Sequence, residues 1–194
     1  MDLSKSRQVV VVQRKELAEI FGFETRNKYE IFDERKISIG FAAEQQKGFF
    51  GFFARQFLGH WRSFEIHFFN HERQPLLISK HPFRWFFQEF FVYDSKGIAI
   101  GRAEQRFGIL KKKFDVYNAE GDLVFEMRSW FFKFWTFPLK SALGEERALI
   151  QKKWSGLLTE MFTDADNFLI TFNDPKLSQN ERLLVLAMSV FVDL

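Results

Sequence analysis

At 194 residues the chain is long enough for one well-cored domain and short for two. It has 28 phenylalanines but no cysteine, which excludes disulfides, thiolate metal sites, cysteine nucleophiles and covalent lipid on cysteine. The formal net charge of +3, with both signs interspersed, does not predict nucleic-acid binding, because such proteins usually carry a denser basic stripe.

Residues 1–23 are predicted to form a segment that packs on the rest of the domain. Residues 9–12 are a short β-branched run of valines, and residues 16–21 fit one or two helical turns. No apolar stretch of a secretory signal opens the chain, and Asp2 stands where N-myristoylation requires glycine. The longest strongly apolar run, residues 183–192, is half of the about 20 residues that a bilayer span needs. We therefore expect a cytoplasmic location with peripheral membrane association.

A sequence repeat predicts a series of β-hairpins. Asn70, Asp94 and Asn118 are each separated by 24 positions, and each begins a short polar turn between two apolar runs. An aromatic or β-branched run, an Asn or Asp turn and a second apolar run are typical of a hairpin. A charged turn at residues 33–36 precedes these copies, and a less regular copy turns at residues 144–147. Repeated hairpins favour an up-and-down meander, either a sandwich or a closed barrel.

The C-terminal residues 178–194 are predicted to form a central helix. Ser178 can cap it, and Glu181 three positions later completes a capping-box pattern. Residues 183–192 are apolar on every face, so the helix is buried in protein or in lipid, and its short length favours protein. A barrel of more than about eight strands has room for such a helix. The residues therefore predict a mainly β domain over residues 1–194, with five or six hairpins around one helix.

Several segments resemble the phospholipid scramblase family, and they extend from about Gln8 to Leu194. The most specific lies in residues 150–172, where the run Phe162-Thr163-Asp164-Ala165-Asp166-Asn167-Phe168 is similar to a family hallmark almost letter for letter. Residues 24–31, which read ETRNKYEI, resemble the N-terminal strand signature of the family. Shorter similarities lie at residues 42–44, 62–64, 81–84 and 97–101.

This resemblance implies a tubby-like fold, the LURP-one-related superfamily, in which about twelve antiparallel strands close into a barrel around a buried apolar C-terminal helix. It also implies Ca²⁺-dependent, ATP-independent movement of phospholipids between membrane leaflets. The alternative is a soluble tubby-like barrel that binds lipid headgroups or protein partners without transporting lipid. No glycine-rich phosphate loop, nucleophile elbow or paired-acid motif stands out, so we predict that the chain is not an enzyme.

By the same resemblance, residues 164–167 open a Ca²⁺-binding segment. The candidate ligands are Asp164 and Asp166, together with Asn167 or Asp174. Ca²⁺ requires six to eight oxygens, and an EF-hand type of loop that starts at Asp164 has carboxylates only at its first two ligand positions. Leu169 stands where such a loop needs glycine. The segment therefore predicts either a weak Ca²⁺ site or a polar turn that leads into a core strand.

Three aromatic segments stand beside cations, at residues 49–53, 85–87 and 130–135. An interfacial membrane anchor needs this composition, because rings enter the acyl boundary while cations meet anionic headgroups. In the scramblase family the comparable loops carry cysteine clusters for acylation, so we interpret the rings as a replacement tether. The alternative is that these rings lie on strands and face the barrel core. The predicted membrane contacts are Phe49, Phe50, Phe52, Phe53, Trp130 and Phe131.

The run Lys111, Lys112 and Lys113 stands between two predicted strands. A cation near an anionic membrane surface contributes about 1 kcal/mol to binding. The run therefore predicts either a basic surface that meets anionic phospholipid or a solvated hairpin turn. An anionic phospholipid membrane is the partner that both the lysines and the aromatic segments favour.

Overall fold

Twelve antiparallel strands and one helix make up the regular structure of the described residues. The computed structural model describes residues 1–14, 25–45, 63–108, 111–130, 135–153 and 167–192. The strands are β1 (Gln8–Gln13), β2 (Thr25–Asp33), β3 (Ser38–Gln45), β4 (Phe64–Asn70), β5 (Pro75–His81), β6 (Glu89–Asp94), β7 (Ala99–Arg106), β8 (Lys111–Asn118), β9 (Leu123–Trp130), β10 (Thr136–Lys140), β11 (Glu146–Lys153) and β12 (Asn167–Phe172). The helix, α1, spans Gln179–Phe191.

The sheet closes into a barrel because β1 pairs with both β2 and β12. Val11 lies opposite Ile31 of β2 on one side and opposite Phe168 of β12 on the other. The prediction that residues 1–23 pack on the barrel does not hold for β1, which is a strand of the wall. Closure leaves no unpaired edge among the twelve described strands. The helical turns predicted at residues 16–21 lie outside the described residues.

Five hairpins share one turn geometry at one end of the barrel, which we call the hairpin end. In the turn that begins at Asp94, the Oδ1 atom accepts hydrogen bonds from the backbone N–H groups of Lys96 and Ile98, and Gly97 adopts a φ of 81°. A left-handed residue at this position is what the turn requires, and glycine meets it without steric cost. The prediction that hairpin turns begin at Asn70, Asp94 and Asn118 is confirmed. The five turns begin at Asp33, Asn70, Asp94, Asn118 and Ser141.

Helix α1 enters the barrel from the hairpin end and fills its interior. The Ser178 hydroxyl accepts from the Glu181 N–H at 3.2 Å, and the Glu181 carboxylate accepts from the Ser178 N–H at 2.8 Å, so the predicted capping box is confirmed. At about 1.5 Å per residue the helix is about 20 Å long, close to the length of the strands around it. No helix among the described residues combines the length and apolarity that a membrane crossing needs.

The helix lies very close to the barrel wall at Gly101. A Cβ atom added to this glycine would lie 2.9 Å from the Leu184 Cδ1 atom and 2.3 Å from the Tyr117 carbonyl oxygen. Around this contact the helix is buried on every face, as its sequence predicted. The buried helix residues are Arg182, Leu184, Val185, Leu186, Ala187, Met188, Ser189 and Val190.

Arg182 brings a buried charge to the start of the helix. Its guanidinium donates to the carbonyl oxygens of Leu177 at 3.1 Å and Ser6 at 2.7 Å. It also lies over the Phe172 ring, 4.6 Å from the ring centroid. Burial lowers the pKa of Arg182. These hydrogen bonds hold the N-terminal residues and the turn before the helix against the hairpin end.

The buried position of α1 can be tested by truncating one of its leucines. Leu186 has no exposed surface, so Leu186→Ala should lower the free energy of unfolding by about 2–5 kcal/mol, because a cavity remains. Leu143→Ala makes the same chemical change at a turn side chain that is 88% exposed, and its effect should stay below about 0.5 kcal/mol. Urea unfolding followed by circular dichroism measures both. Equal effects would contradict a helix inside the barrel.

Candidate functional site

Exposed aromatic side chains gather at the barrel end opposite the hairpins, and we call this set the aromatic rim. Among the described residues, exposure is 40% for Phe83 and rises to 81% for Phe86. The large exposed apolar residues of the hairpin end are aliphatic instead, for example Ile98 and Leu143. The two ends therefore present different chemistry to a partner. The aromatic rim consists of Phe83, Trp85, Phe86, Phe87, Phe107, Trp130 and Trp135.

The up-and-down topology is what brings the rim residues together. Successive connections of an antiparallel meander alternate between the two barrel ends, so the connections β5–β6, β7–β8 and β9–β10 share one end. Residues 82–88 form the first of these connections, Phe107 begins the second, and Trp130 and Trp135 flank the third. Phe83 and Trp85 meet edge to face, with ring centroids 5.2 Å apart.

Beneath the rim, a layer of rings surrounds the last residue of the helix. The Phe191 ring stacks on Phe90 with centroids 4.6 Å apart and meets Phe114 edge-on at 5.6 Å. His81, which is almost fully buried, stacks on Phe64 at 4.7 Å. These contacts fix the C-terminal end of α1 inside the barrel mouth. Below the rim, aromatic residues of the strands therefore serve the core.

The predicted membrane contacts are only partly covered by the described residues. Trp130 lies on the rim and is 42% exposed, and residues 85–87 are exposed as well. Phe131 and residues 49–53 lie outside the described residues and stay predictions. Phe83 and Phe107 were not among the predicted contacts, although each follows the end of a strand at the rim, a position that could have indicated them.

The lysine run begins a strand rather than forming a turn. Lys112 lies opposite Ser129 of β9 and Lys113 lies opposite Arg128, so the hairpin-turn interpretation is wrong. The lysines are followed directly by the alternating apolar residues of the same strand, with no turn residue between them. The apolar pattern alone therefore does not show where the strand begins. The backbone of Lys111 starts β8 opposite Trp130. Lys113 points outward, since the next residue, Phe114, is buried in the core.

Two rows of opposite charge cross the outer wall next to the rim. Strand register places three outward cations side by side on β7, β8 and β9, and three carboxylates side by side one pleat further from the rim. We call these sets the cation row and the acid row. The cation row is Arg106, Lys113 and Arg128. The acid row is Glu104, Asp115 and Glu126.

Asp115 joins the two rows. Its Oδ2 atom accepts from Arg106 Nε at 2.7 Å, and its Oδ1 atom accepts from Arg128 at 2.5 Å. Burial alone would raise the pKa of Asp115, but the hydrogen bonds from Arg106 and Arg128 outweigh burial and lower it. The same hydrogen bond, helped by one to Tyr117, raises the pKa of Arg106. Asp115 therefore holds both arginines of the cation row in place.

The predicted Ca²⁺ ligands do not lie together. Asn167 begins β12 near the rim, whereas Asp174 follows the other end of that strand, roughly 20 Å away at about 3.3 Å per residue. Asn167 and Asp174 are therefore too far apart to bind one ion together, so the two alternatives exclude each other. Asp164 and Asp166 lie outside the described residues and stay predictions. Within the described ranges, no group of three His, Asp or Glu side chains is placed to hold a metal ion.

Asp174 has a structural role at the hairpin end. Its Oδ2 atom accepts from Arg147 Nε at 2.9 Å, and its Oδ1 atom accepts from the Lys176 N–H at 2.8 Å. The hydrogen bond from Arg147, followed by the one from Lys176, lowers the pKa of Asp174. Arg147 also donates to Glu181 of the capping box at 2.8 Å. Asp174 thus ties β11 to the start of the helix.

Asn167 differs from Asp174 in its surroundings. It has no exposed surface, and neither atom of its amide has a hydrogen-bond partner among the described residues. A buried amide normally has a partner, because leaving it unpaired costs about 1–3 kcal/mol. Asn167 is therefore a buried polar side chain without a hydrogen-bond partner in the described part of the chain, as are Ser38 and Ser79.

Comparison with known proteins supports the family resemblance of the sequence. A family model described as Scramblase matches residues 2–194. Human phospholipid scramblase 1 is 29% identical over 195 residues, covering 88% of this chain and 57% of that protein. A phospholipid scramblase family protein of Schizosaccharomyces pombe is 25% identical over 184 residues, covering 86% of this chain and 46% of that protein. The chain thus spans about half the length of these relatives.

A solved structure supports the fold separately from these relatives. The X-ray structure of an Arabidopsis thaliana protein superimposes with a TM-score of 0.50 at 8% identity, covering 97% of this chain and 91% of that one. At this identity the likeness concerns the fold alone. The prediction of a tubby-like, closed antiparallel barrel of twelve strands around a C-terminal helix is confirmed.

Because Asp115 of the acid row pairs with both arginines of the cation row, we expect the stability of the fold to depend on pH. Asp115→Asn should lower the free energy of unfolding at neutral pH by about 1–3 kcal/mol, because charge-assisted hydrogen bonds to both arginines weaken. Since the folded-state pKa of Asp115 lies below its ordinary value of 3.8, this stabilisation is present above that value and is lost as pH falls through the folded pKa. The difference between wild type and variant should shrink in the same acid range.

The matched control is Glu120→Gln, which removes one negative charge from an exposed turn. Urea unfolding at neutral and acid pH measures all three proteins. Glu120→Gln should unfold like wild type at both pH values. A loss in Asp115→Asn that stays constant down to the acid limit would contradict the role given to the Asp115 carboxylate.

Proposed function

The chain belongs to the scramblase family, and on this premise we propose that it docks on anionic phospholipid membranes through the aromatic rim and moves phospholipids between leaflets without ATP. The observation that carries this proposal is the concentration of exposed rings at one barrel end. Exposed apolar side chains gathered at one end of a fold are typical of an interaction site. The proposed location is the cytoplasmic surface of a membrane, with peripheral association.

The chemistry of the rim suits the boundary between headgroups and acyl chains. Trp85 and Phe86 are 60% and 81% exposed, so much of their apolar area still faces water. Burying a large apolar side chain completely contributes about 1.5–3 kcal/mol, and several half-exposed rings together supply enough for stable docking. Tryptophan is especially suited to this boundary, because its indole N–H can remain with the polar headgroups.

The filled barrel favours a second candidate function, a tubby-like module that binds lipid headgroups or protein partners without transport. The interior is occupied by α1 and by the ring layer around Phe191, and the wall strands are paired around the whole barrel. A lipid headgroup crossing a membrane needs a polar path, and this interior offers apolar side chains. Under the transport proposal, the lipid path therefore runs along the rim and outer wall rather than through the barrel.

Dependence on Ca²⁺ is a separate part of the proposal. It depends on Asp164 and Asp166, carried over by resemblance, and on the unpaired buried amide of Asn167 next to them in sequence. One amide oxygen and two carboxylates fall short of the six to eight oxygens that Ca²⁺ prefers, so the proposed affinity is weak. Lipid headgroup phosphates are a chemically suitable source of the remaining oxygens.

Membrane docking by the rim can be tested by liposome flotation. Trp85→Ser/Phe86→Ser/Phe107→Ser should lower the partition into anionic liposomes by about tenfold or more, because a loss of only about 1.4 kcal/mol has this effect. The control Ile37→Ser/Ile98→Ser/Leu143→Ser replaces three exposed apolar residues at the hairpin end and should bind like wild type. Circular dichroism checks that both variants are folded. An equal loss of liposome binding in both variants, or no loss in either, would contradict docking through the rim.

Transport and binding without transport can be separated on reconstituted liposomes. Dithionite reduces fluorescent lipid in the outer leaflet only, so lipid movement increases the final fraction reduced. We expect reduction above the protein-free liposomes, with no ATP present, and a lower rate for the triple rim variant. Tight liposome binding with reduction equal to the protein-free liposomes would instead support the binding module.

Calorimetric titration with Ca²⁺ tests the metal part of the proposal. Wild type should give heats of weak binding that disappear in Asp164→Ala/Asp166→Ala, because these carboxylates supply the charge that attracts the cation. Asp174→Ala is the matched control, since Asp174 lies at the other end of β12 and should leave the heats unchanged. Identical near-zero heats in all three proteins would leave residues 164–167 as a turn into a core strand.

A further inference from the structure

We propose that the cation row binds the phosphate groups of anionic phospholipid headgroups when the rim docks, which makes the outer wall of β7, β8 and β9 the headgroup-contacting side of the barrel. This inference rests on the proposed function, because the rim brings the row to the membrane. It predicts which chemical group Arg106, Lys113 and Arg128 bind and how deep in the membrane surface they lie. The ligand is a phosphate diester fixed in a bilayer rather than a free phosphate ion.

The cation row places three like charges side by side on neighbouring strands. Arg106 lies directly opposite Lys113, which lies directly opposite Arg128. Like charges directly opposite each other on neighbouring strands destabilise a sheet, by up to about 1 kcal/mol for a pair. The acid row offsets the repulsion of the two arginines, because Arg106 and Arg128 both pair with Asp115 and each pairs with one further glutamate. Lys113 is the cation that this compensation leaves out, and an uncompensated charge in a sheet is expected at a functional site.

The two arginines are held in fixed positions on either side of the lysine. Arg106 donates to Asp115 and to the Tyr117 hydroxyl, and Arg128 donates to Asp115 and to the Phe114 carbonyl oxygen at 2.8 Å. Arg106 also pairs with Glu104 and Arg128 with Glu126, each at 3.3 Å. These contacts leave N–H groups that can donate to an anion, on Arg106 those of Nη1 and on Arg128 that of Nε. Arg106 is 47% exposed at its side chain.

Lys113 is the central cation of the row. Within the described part of the chain it has no carboxylate partner, although Asp115 lies two residues away on the same strand and face. Asp115 is already shared by the two arginines. The ammonium of Lys113 thus adds positive charge between two ordered guanidiniums, an arrangement that suits a phosphate with several acceptor oxygens.

The order of chemistry along the wall matches the layers of a membrane surface. Arg128 precedes Trp130 by two residues, so the cation row lies about 5–7 Å behind the rim, given the rise and tilt of barrel strands. The headgroup layer of one leaflet is about 5–8 Å thick. With Trp130 at the acyl boundary, the cations therefore lie among the phosphates. The acid row lies one further pleat back, away from the anionic surface.

The test compares Lys113→Gln with Lys96→Gln in binding to liposomes. Lys113 forms no part of the arginine–aspartate joint, so its loss should leave the fold intact, and Lys96 is an exposed lysine in a turn at the hairpin end. On phosphatidylcholine liposomes that contain phosphatidylserine, Lys113→Gln should bind about fivefold more weakly than wild type, or about 1 kcal/mol. Lys96→Gln should bind like wild type. High salt should remove the difference.

Further measurements separate this site from the rim and from a soluble anion site. Phosphatidylcholine carries the same phosphate diester, but its choline cancels the charge, so on pure phosphatidylcholine liposomes the loss in Lys113→Gln should be clearly smaller than on liposomes that contain phosphatidylserine. An equal loss in Lys113→Gln and Lys96→Gln, or no loss in either, would overturn the proposal. Displacement from the liposomes by inorganic phosphate at matched ionic strength would also overturn it, because the site would then bind a free ion. If wild type and both lysine variants all fail to bind neutral liposomes, docking through the rim is contradicted, and phosphate binding by the cation row is not.

The depth of the row can be measured independently of affinity. Since the chain has no cysteine, Lys113→Cys and Lys96→Cys each provide a single labelling position for a fluorophore. A nitroxide quencher on the lipid headgroup should quench the label at position 113 strongly and the label at position 96 weakly. Equal quenching at the two positions would contradict the proposed orientation.

Discussion

An apolar helix with no polar face must be covered on every side, and this requirement determines the rest of the structure. Two-sided coverage, as a sandwich would give, leaves part of the helix in water, whereas a closed wall covers it completely. Closure depends on β1, whose valines pair with β2 and β12 at once. Gly101 then lets the helix approach β7 closely enough to leave no gap. The wall and the helix thus depend on each other.

Stabilising contacts lie at one end of the barrel, and the proposed membrane contacts lie at the other. At the hairpin end, turn side chains bond to their own backbones, Arg182 bonds to carbonyl oxygens, and Arg147 joins β11 to the helix cap. At the opposite end, the strands lead into aromatic residues whose rings stay exposed. Functional residues commonly lie on connections that a rigid scaffold holds in place, and this barrel separates the two roles by topology alone.

The outer wall next to the rim continues this chemical gradient. Exposed rings come first, then a row of cations, and then a row of carboxylates, all within about three pleats of three neighbouring strands. A membrane surface has layers in the same order, from acyl chains to phosphates to water. A protein with a filled interior can therefore handle lipid from its outside. For this reason, the filled barrel and a lipid-directed function are compatible.

Local features of this protein were determined by the sequence alone. The turns at Asn70, Asp94 and Asn118 and the capping box of Ser178 and Glu181 could be predicted, because the interacting atoms lie within a few residues of each other. The apolar period likewise indicated strands and a buried helix. A family resemblance added the strand number. The same reasoning predicted rings for membrane contact but could not say which of them face the core.

Only the tertiary structure decided which distant residues meet. Strand register brings Arg106, Lys113 and Arg128 into one row, although they are up to 22 positions apart in the chain and follow no motif. It also separates Asn167 from Asp174, which are close in sequence, because an extended strand carries them to opposite barrel ends. Side-chain chemistry determined what each residue could bind. Register and closure determined which residues act together.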